Sequence, residues 1–157
     1  MSRKIFFVDI DNTLANVNAQ LEQLGIDTSI YPAKVPIELW NADIFKYAAP
    51  IVPVINFVKA VHVHYEIAYL TARKGSHHEA TLLWLKEHNL PLSPIIHTHG
   101  REKGEFVHLF SQTETVVGAI EDSPQEIDSM RSAKNDLIMY IPDWAYNRDI
   151  EGIRIKI

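Results

Sequence analysis

Five short runs of the chain are almost uninterruptedly apolar: residues 4–9, 66–70, 94–97, 115–120 and 137–141. A strand with one wet face alternates apolar and polar residues, whereas a strand covered on both faces is continuously hydrophobic. The runs therefore predict a parallel sheet of about five strands with helices on both faces. Between them the apolar spacing turns helical. In SHHEATLLWLKEH, residues 76–88, Ser76 and Glu79 stand in capping-box spacing, and Leu82, Leu83, Trp84 and Leu85 follow over a core face. SPQEIDSMRSA, residues 123–133, repeats the device, with Ser123 as N-cap, Pro124 at the first helical position and Glu126 three residues after the cap. IVPVINFVKAVH and EKGEFVHLFSQ predict two further helices. Strand and helix in alternation give an α/β, Rossmann-like architecture with right-handed crossovers.

One stretch breaks the rhythm. Residues 15–49 exceed what a crossover with one helix needs. Val17, Leu21 and Leu24 predict a helix there, followed by the proline- and aromatic-containing YPAKVPIELWNADIFKY. The expectation is a single domain over residues 1–157 with a small cap inserted after the first strand. The cap aromatics Tyr31, Trp40, Phe45 and Tyr47 suit packing against the body of the domain or stacking on a base.

Composition narrows the chemistry. Cysteine is absent, which excludes disulfides, thiolate nucleophiles and Cys-ligated zinc. No apolar run approaches the roughly 18 residues of a membrane span, and the N-terminus enters a strand without a signal-peptide pattern, so a cytoplasmic, non-membrane protein is expected. The formal net charge of −5, with no dense run of Lys or Arg, argues against a long polyanion as main partner but leaves room for a local phosphate site.

The strand ends carry the candidate chemistry. KIFFVDIDNTLA runs into Asp9 and Asp11, two carboxylates that share a face if the extended geometry persists. Like charges held together repel unless a cation or a shared proton relieves them. In an open parallel sheet, ligands bind beyond the carboxyl ends of the strands. Asp9 and Asp11, Thr71 after the second run, and Glu121 and Asp122 after the fourth should therefore converge, with Lys103 within reach. Acid pair, hydroxyl, lysine and acid pair suit a phosphate ester with Mg²⁺, a hard cation that takes carboxylate and phosphate oxygens. Arg73 and Lys74 follow the Thr71 loop as further phosphate contacts or solvated charges, and Arg101 competes with Lys103 for the phosphate role.

Duller explanations fit less well. A calcium loop starting at Asp9 wants Gly at its sixth position and Glu at its twelfth, where Leu14 and Gln20 stand. A phospho-acceptor receiver domain would lack a late acid pair. Glu121-Asp122-Ser123 as a mere helix start leaves DIDNT unexplained. The HVH and HTH pairs lack acids at a strand end to complete a zinc site.

DIDNTL, LTAR, Lys103 and IEDSPQEI, in this order, resemble the haloacid dehalogenase-like (HAD) phosphohydrolases over almost the whole chain. The resemblance implies Asp9 as nucleophile, Asp11 as general acid and then base, and Thr71 and Lys103 gripping the phosphoryl group. It also implies Mg²⁺ held by Asp9, Asp122 and the Asp11 backbone carbonyl, with Glu121 as a secondary contributor. YIPDWAYNRDIEGIRI and YLTARKGSHHEATLLWLKEHNLP resemble the 5'(3')-deoxyribonucleotidases and related bacterial and phage nucleotidases, and the latter stretch also the 3'-phosphatase half of polynucleotide kinases. Asn12-Thr13 stands where the mammalian deoxyribonucleotidases have Gly-Val, and the inserted segment is shorter than their helical cap. The expected activity is Mg²⁺-dependent hydrolysis of nucleoside monophosphates through an aspartyl-phosphate. The alternatives are a 3'-phosphatase acting on nucleic-acid ends and a non-catalytic phosphate- or Mg²⁺-binding module on the same fold.

Overall fold

A computed structural model describes residues 2–157. β1 (Lys4–Val8) lies inside a sheet and supplies residues to both faces. Phe6 and Val8 enter one core, whereas Ile5 and Phe7 enter the other. This two-sided burial is why the run is continuously apolar.

The chain next forms β2 (Ala15–Asn16) and α1 (Val17–Gln23), a 3₁₀ turn at Ile37–Leu39, α2 (Ala42–Lys46) and β3 (Ala49–Pro50). β2 pairs antiparallel with β3, Ala15 opposite Pro50 and Asn16 opposite Ala49, so a two-stranded ribbon closes the base of the inserted segment. Leu21, Ile44 and Phe45 anchor the segment in the first core, and the Trp84 indole donates to the Ala48 carbonyl at 2.9 Å.

The remaining elements alternate: α3 (Val52–His62), β4 (Glu66–Thr71), α4 (His78–Glu87), β5 (Ile95–His97), α5 (Lys103–Phe110), β6 (Thr115–Ile120), α6 (Pro124–Ala133), β7 (Ile138–Pro142) and β8 (Ile153–Ile155). The sheet order is β5-β4-β1-β6-β7-β8, with every neighbouring pair parallel. Val54, Val58, Trp84 and Leu85 from α3 and α4 cover one face. Val107, Ile127 and Met130 from α5 and α6 cover the other. The chain leaves β1 towards β4 and β5, then returns to its other side with β6, which makes the carboxyl end of β1 the switch point where such sheets bind ligands. Among the described residues no helix is long and apolar enough to cross a membrane.

The sheet of about five strands is present, with β8 added at its edge as a sixth whose three residues carry little hydrophobic signal; one local expectation fails. Ser76 does not cap α4: a 3₁₀ turn at Gly75–His77 leads into the helix, and His77 occupies the cap position without a side-chain bond. Ser123 behaves as expected, its hydroxyl accepting from the Glu126 N–H, with Pro124 opening α6.

α5 and α6 meet at Gly104, where a Cβ would collide with the Ser129 carbonyl. The Gly104 N–H donates to the Ser129 hydroxyl at 3.0 Å, so the start of α5 lies directly on α6. Gly104→Ala is therefore expected to destabilise the fold by about 1–3 kcal/mol through overpacking, read as a lower denaturant midpoint at unchanged slope.

Candidate active site

Asp9 follows β1, and its backbone N–H donates to the Ile120 carbonyl at 3.0 Å, which locks the acid to the end of β6. Its carboxylate is buried and accepts from the Thr13 hydroxyl at 2.7 Å and from Lys103 Nζ at 2.6 Å. Lys103 opens α5, is buried as well, and reaches Glu121 at 2.5 Å. Glu121 in turn accepts from the Ser123 N–H at 3.1 Å. Asp122 accepts from the Tyr146 hydroxyl at 2.5 Å, and its carboxyl hydrogen-bonds Asp9.

Three buried carboxyls thus surround one ammonium. Burial alone would raise Asp9, but the Lys103 charge and hydrogen bonds from Asp122, Lys103 and Thr13 overcome it and hold Asp9 below the usual carboxylate range. Burial and the nearby Asp9 charge push Glu121 up to about 8 against the pull of Lys103. Asp122 is driven well above its ordinary value, by burial first and by Asp9 and Glu121 next. Lys103 stays protonated, because the two carboxylates it touches outweigh its desolvation. The shortfall of positive charge makes Glu121 and Asp122 hold their protons more strongly than an ordinary carboxyl does.

Asp9, Glu121 and Asp122 each offer a carboxylate oxygen, and these atoms lie within 4.8 Å of one another. An all-oxygen set of acids suits Mg²⁺ rather than a soft metal. All three are already engaged: Asp9 by Lys103 and Thr13, Glu121 by Lys103 and the Ser123 N–H, and Asp122 by Tyr146. The histidine pairs form no comparable group among the described residues. His97 donates through Nδ1 to the Arg73 carbonyl at 2.8 Å, and its Nε2 lies 2.9 Å from His78 Nδ1.

Asp11 stands apart from this cluster. Arg73 grips it with Nη2 at 2.6 Å and Nε at 2.9 Å. The guanidinium is itself buried, donates to Thr81 at 3.0 Å and lies 4.0 Å over the Phe45 ring. Arg73, expected as a phosphate contact, is thus first a partner of Asp11. Thr71 is buried at the end of β4, and its hydroxyl accepts from the Arg73 N–H at 3.1 Å. Arg101 turns outward to Glu105 at 2.6 Å, so of the two competing cations only Lys103 faces the acids.

A cavity of about 210 Å³ lies over this edge, with Asp9, Asp11 and Asp122 on the sheet side and Asn18 and Tyr31 on the side of the inserted segment. A second cavity of about 490 Å³ adjoins it at Asp11, Ala72 and Trp40 and is lined further by Ile37, Phe45, Lys74 and His77. The aromatics of the inserted segment divide in place. Phe45 is buried beneath Arg73, and Tyr31 stacks on Tyr146 at 4.7 Å. Trp40, 40% exposed, borders both cavities.

Sequence reading assigned no role to Thr13, Tyr146 or Asn147. The Asn147 amide donates to the Asp122 carbonyl at 3.0 Å and to the Pro142 carbonyl at 2.9 Å, tying the loop after β7 to the acid pair. That loop also leaves the carboxyl end of a strand, so the rule that found the other groups extends to it.

No family model and no curated protein sequence matches the chain. Solved structures do. A chain of the Pnkp1/Rnl/Hen1 RNA repair complex superposes with TM-score 0.64 at 19% identity, covering 91% of this chain and 43% of its own length. A haloacid dehalogenase-like family hydrolase from Streptococcus pneumoniae superposes with TM-score 0.64 at 15% identity over 99% and 94% of the two chains. The class C acid phosphatase from Bacillus anthracis, with tungstate bound, gives 0.57 at 20% identity over 78% and 53%. The chain spans less than half the length of the RNA repair chain and about half that of the acid phosphatase. These likenesses establish an α/β fold of the HAD type.

The proton count has a measurable consequence. A carboxyl at about 8 in the folded protein and at 4.5 when unfolded favours folding while protonated, and that contribution is lost as the pH rises towards 8. In EDTA, the stability of the protein should decline between about pH 4.5 and 8 in a way that Glu121→Gln flattens. Urea midpoints measured across that range in both proteins check it.

Proposed function

We propose that the protein is a Mg²⁺-dependent phosphomonoesterase that forms an aspartyl-phosphate on Asp9, with nucleoside monophosphates as substrates. The observation that carries the reading is the state of Asp9: buried, ionised and aimed by Lys103 and Thr13 at a cavity that it shares with a second carboxylate, Asp11. Binding alone would not need the second acid.

Asp9 and Asp122 would hold a Mg²⁺ ion, which would supply positive charge to offset that of the phosphoryl group an anionic nucleophile must approach. The remaining work falls to the chain. A carboxylate oxygen of Asp9 attacks phosphorus, and the bond from phosphorus to the ester oxygen breaks. Asp11 delivers a proton to that leaving oxygen. The same group then takes a proton from the water that attacks the phosphorus of the acyl phosphate, which releases inorganic phosphate and restores Asp9. Lys103 holds its proton throughout and offsets the charge on Asp9. Arg73 keeps Asp11 on the cavity wall, and an arriving phosphoryl group competes for the same guanidinium.

The leaving group must depart past Asp11. The larger cavity opens on that side, and its volume falls in the range that holds drug-sized ligands. Its exposed Trp40 ring supports a planar leaving group such as a nucleoside. The inserted segment, between its two short ribbon strands, acts in this reading as a small cap. A second reading, removal of a terminal 3'-phosphate from a polynucleotide, draws support from the rim of that cavity. Lys74, Ser76 and His77 line it, and Lys74 has no acidic partner among the described residues. The fold shared with the RNA repair chain agrees with it.

Phosphate release with Mg²⁺ and with EDTA, across nucleoside monophosphates, sugar phosphates and a 3'-phosphorylated oligonucleotide, decides between them. Metal-dependent release from nucleoside monophosphates supports the first reading, and release confined to the oligonucleotide supports the second. Asp9→Asn should abolish turnover, and Asp11→Asn should lower it by about 10²–10⁴-fold. An intact protein that hydrolyses no ester refutes both and leaves a phosphate- or Mg²⁺-binding module.

A further inference from the structure

A polar side chain withdrawn from water without a hydrogen-bond partner destabilises the fold that holds it. Among the described residues, no fully enclosed side-chain nitrogen or oxygen is left in that condition. Asn18, in the first turn of α1 and only 6% exposed, is not in that condition: its side-chain amide makes no hydrogen bond to a described residue and keeps its contact with solvent through the small exposed part of the residue. What little it exposes belongs to the 210 Å³ cavity that Asp9, Asp11 and Asp122 border.

The donors that face the acids are already engaged: Thr13 and Lys103 donate to Asp9, and Arg73 donates to Asp11 and Thr81. The position of Asn18 is nevertheless tightly set. Its backbone N–H donates to Asn12 Oδ1 at 2.8 Å. Asn12 sits at φ 60° in the turn between the acid pair and the inserted segment, and its carbonyl accepts from the Trp144 indole at 2.7 Å. The turn that carries the acids therefore fixes the start of α1 above them. A free amide is placed with care and given nothing to bind.

We infer that Asn18 is a phosphoryl-binding residue, its side-chain N–H donating to a non-bridging oxygen of the group that Asp9 attacks. The inference rests on the phosphomonoesterase reading. A phosphoryl group in transfer spreads charge over three equatorial oxygens, each of which needs a donor. Lys103 and Thr71 stand at the sheet edge, whereas an oxygen turned towards the inserted segment meets the wall that Asn18 lines. The leaving group departs through the other cavity, which Asn18 does not border. A neutral donor also suits this place, since it adds a hydrogen bond without another cation to compete for Asp9.

The probe is inorganic phosphate, titrated by calorimetry in the presence of Mg²⁺ into wild type, Asn18→Ala and Asn18→Asp, with a thermal melt of each protein free of phosphate and metal. Asn18→Ala should weaken phosphate binding about tenfold or more, the scale of a hydrogen bond to a charged group. Asn18→Asp keeps the shape, turns donor into anion, and should weaken it further still. The phosphate-free melting temperature of Asn18→Ala should stay close to that of wild type, because the amide removed makes no hydrogen bond to a described residue. Unchanged phosphate affinity in both variants overturns the assignment. So does a fall in the melting temperature of Asn18→Ala with affinity intact, which marks a structural role. A wild type that binds no phosphate and hydrolyses no ester defeats the phosphomonoesterase reading itself. A wild type that hydrolyses esters while the variants bind phosphate normally defeats only the role of Asn18.

Discussion

Three carboxyls and one ammonium, all out of water, set the terms for the rest of this structure. Lys103 lies between Asp9 and Glu121, and Asp122 leans on Asp9. Ionised acids this close and this buried are tolerable only when something positive sits among them. Lys103 supplies one charge, and the shortfall shows in how strongly Glu121 and Asp122 hold their protons. The cluster therefore stores a demand for positive charge at the carboxyl end of β1.

Holding that arrangement requires both faces of the sheet. Asp9 comes from the central strand and Glu121 and Asp122 from its neighbour β6, while Lys103 comes from the first turn of a helix packed on one face. That helix can start where it does only because Gly104 lets it lie on α6. On the other face the Asp11–Arg73 pair is backed by Phe45 and Thr81. The inserted segment therefore contributes to the floor of the site as well as to its roof. Tyr146 and Asn147, from the loop after β7, brace Asp122 from the far side.

Much of this was legible in the chain. Strands buried on both faces leave a continuous apolar signal, and five of the six in the main sheet left one. β8 did not, because an edge strand of three half-exposed residues has no covered face to record. Ser123 capped its helix as its spacing foretold, since a cap is a local bond between residues three apart. Ser76 had the same spacing and failed, because the chain enters α4 through a 3₁₀ turn that shifts the helix start to His78. At the site, the acids and the hydroxyl could be picked out by their places after strands, and the lysine by its place in the turn before a helix. Partners could not be. The Arg73 bond to Asp11 could not be foreseen, and Arg101, a rival to Lys103 by position, turns to Glu105 at the surface.

By itself, then, the amino-acid sequence determined the fold class, the edge at which chemistry gathers and the residue types found there. Those follow from periodicity and from the position of polar residues after apolar runs, which are properties of neighbours along the chain. Tertiary structure alone decided which cation meets which acid, which carboxyls are pushed to hold their protons and which amide faces the cavity. These depend on distance and burial between residues as far apart as Asp9 and Lys103, 94 positions along the chain. Charge interactions strengthen as water is excluded, and only the packed fold says where water is excluded.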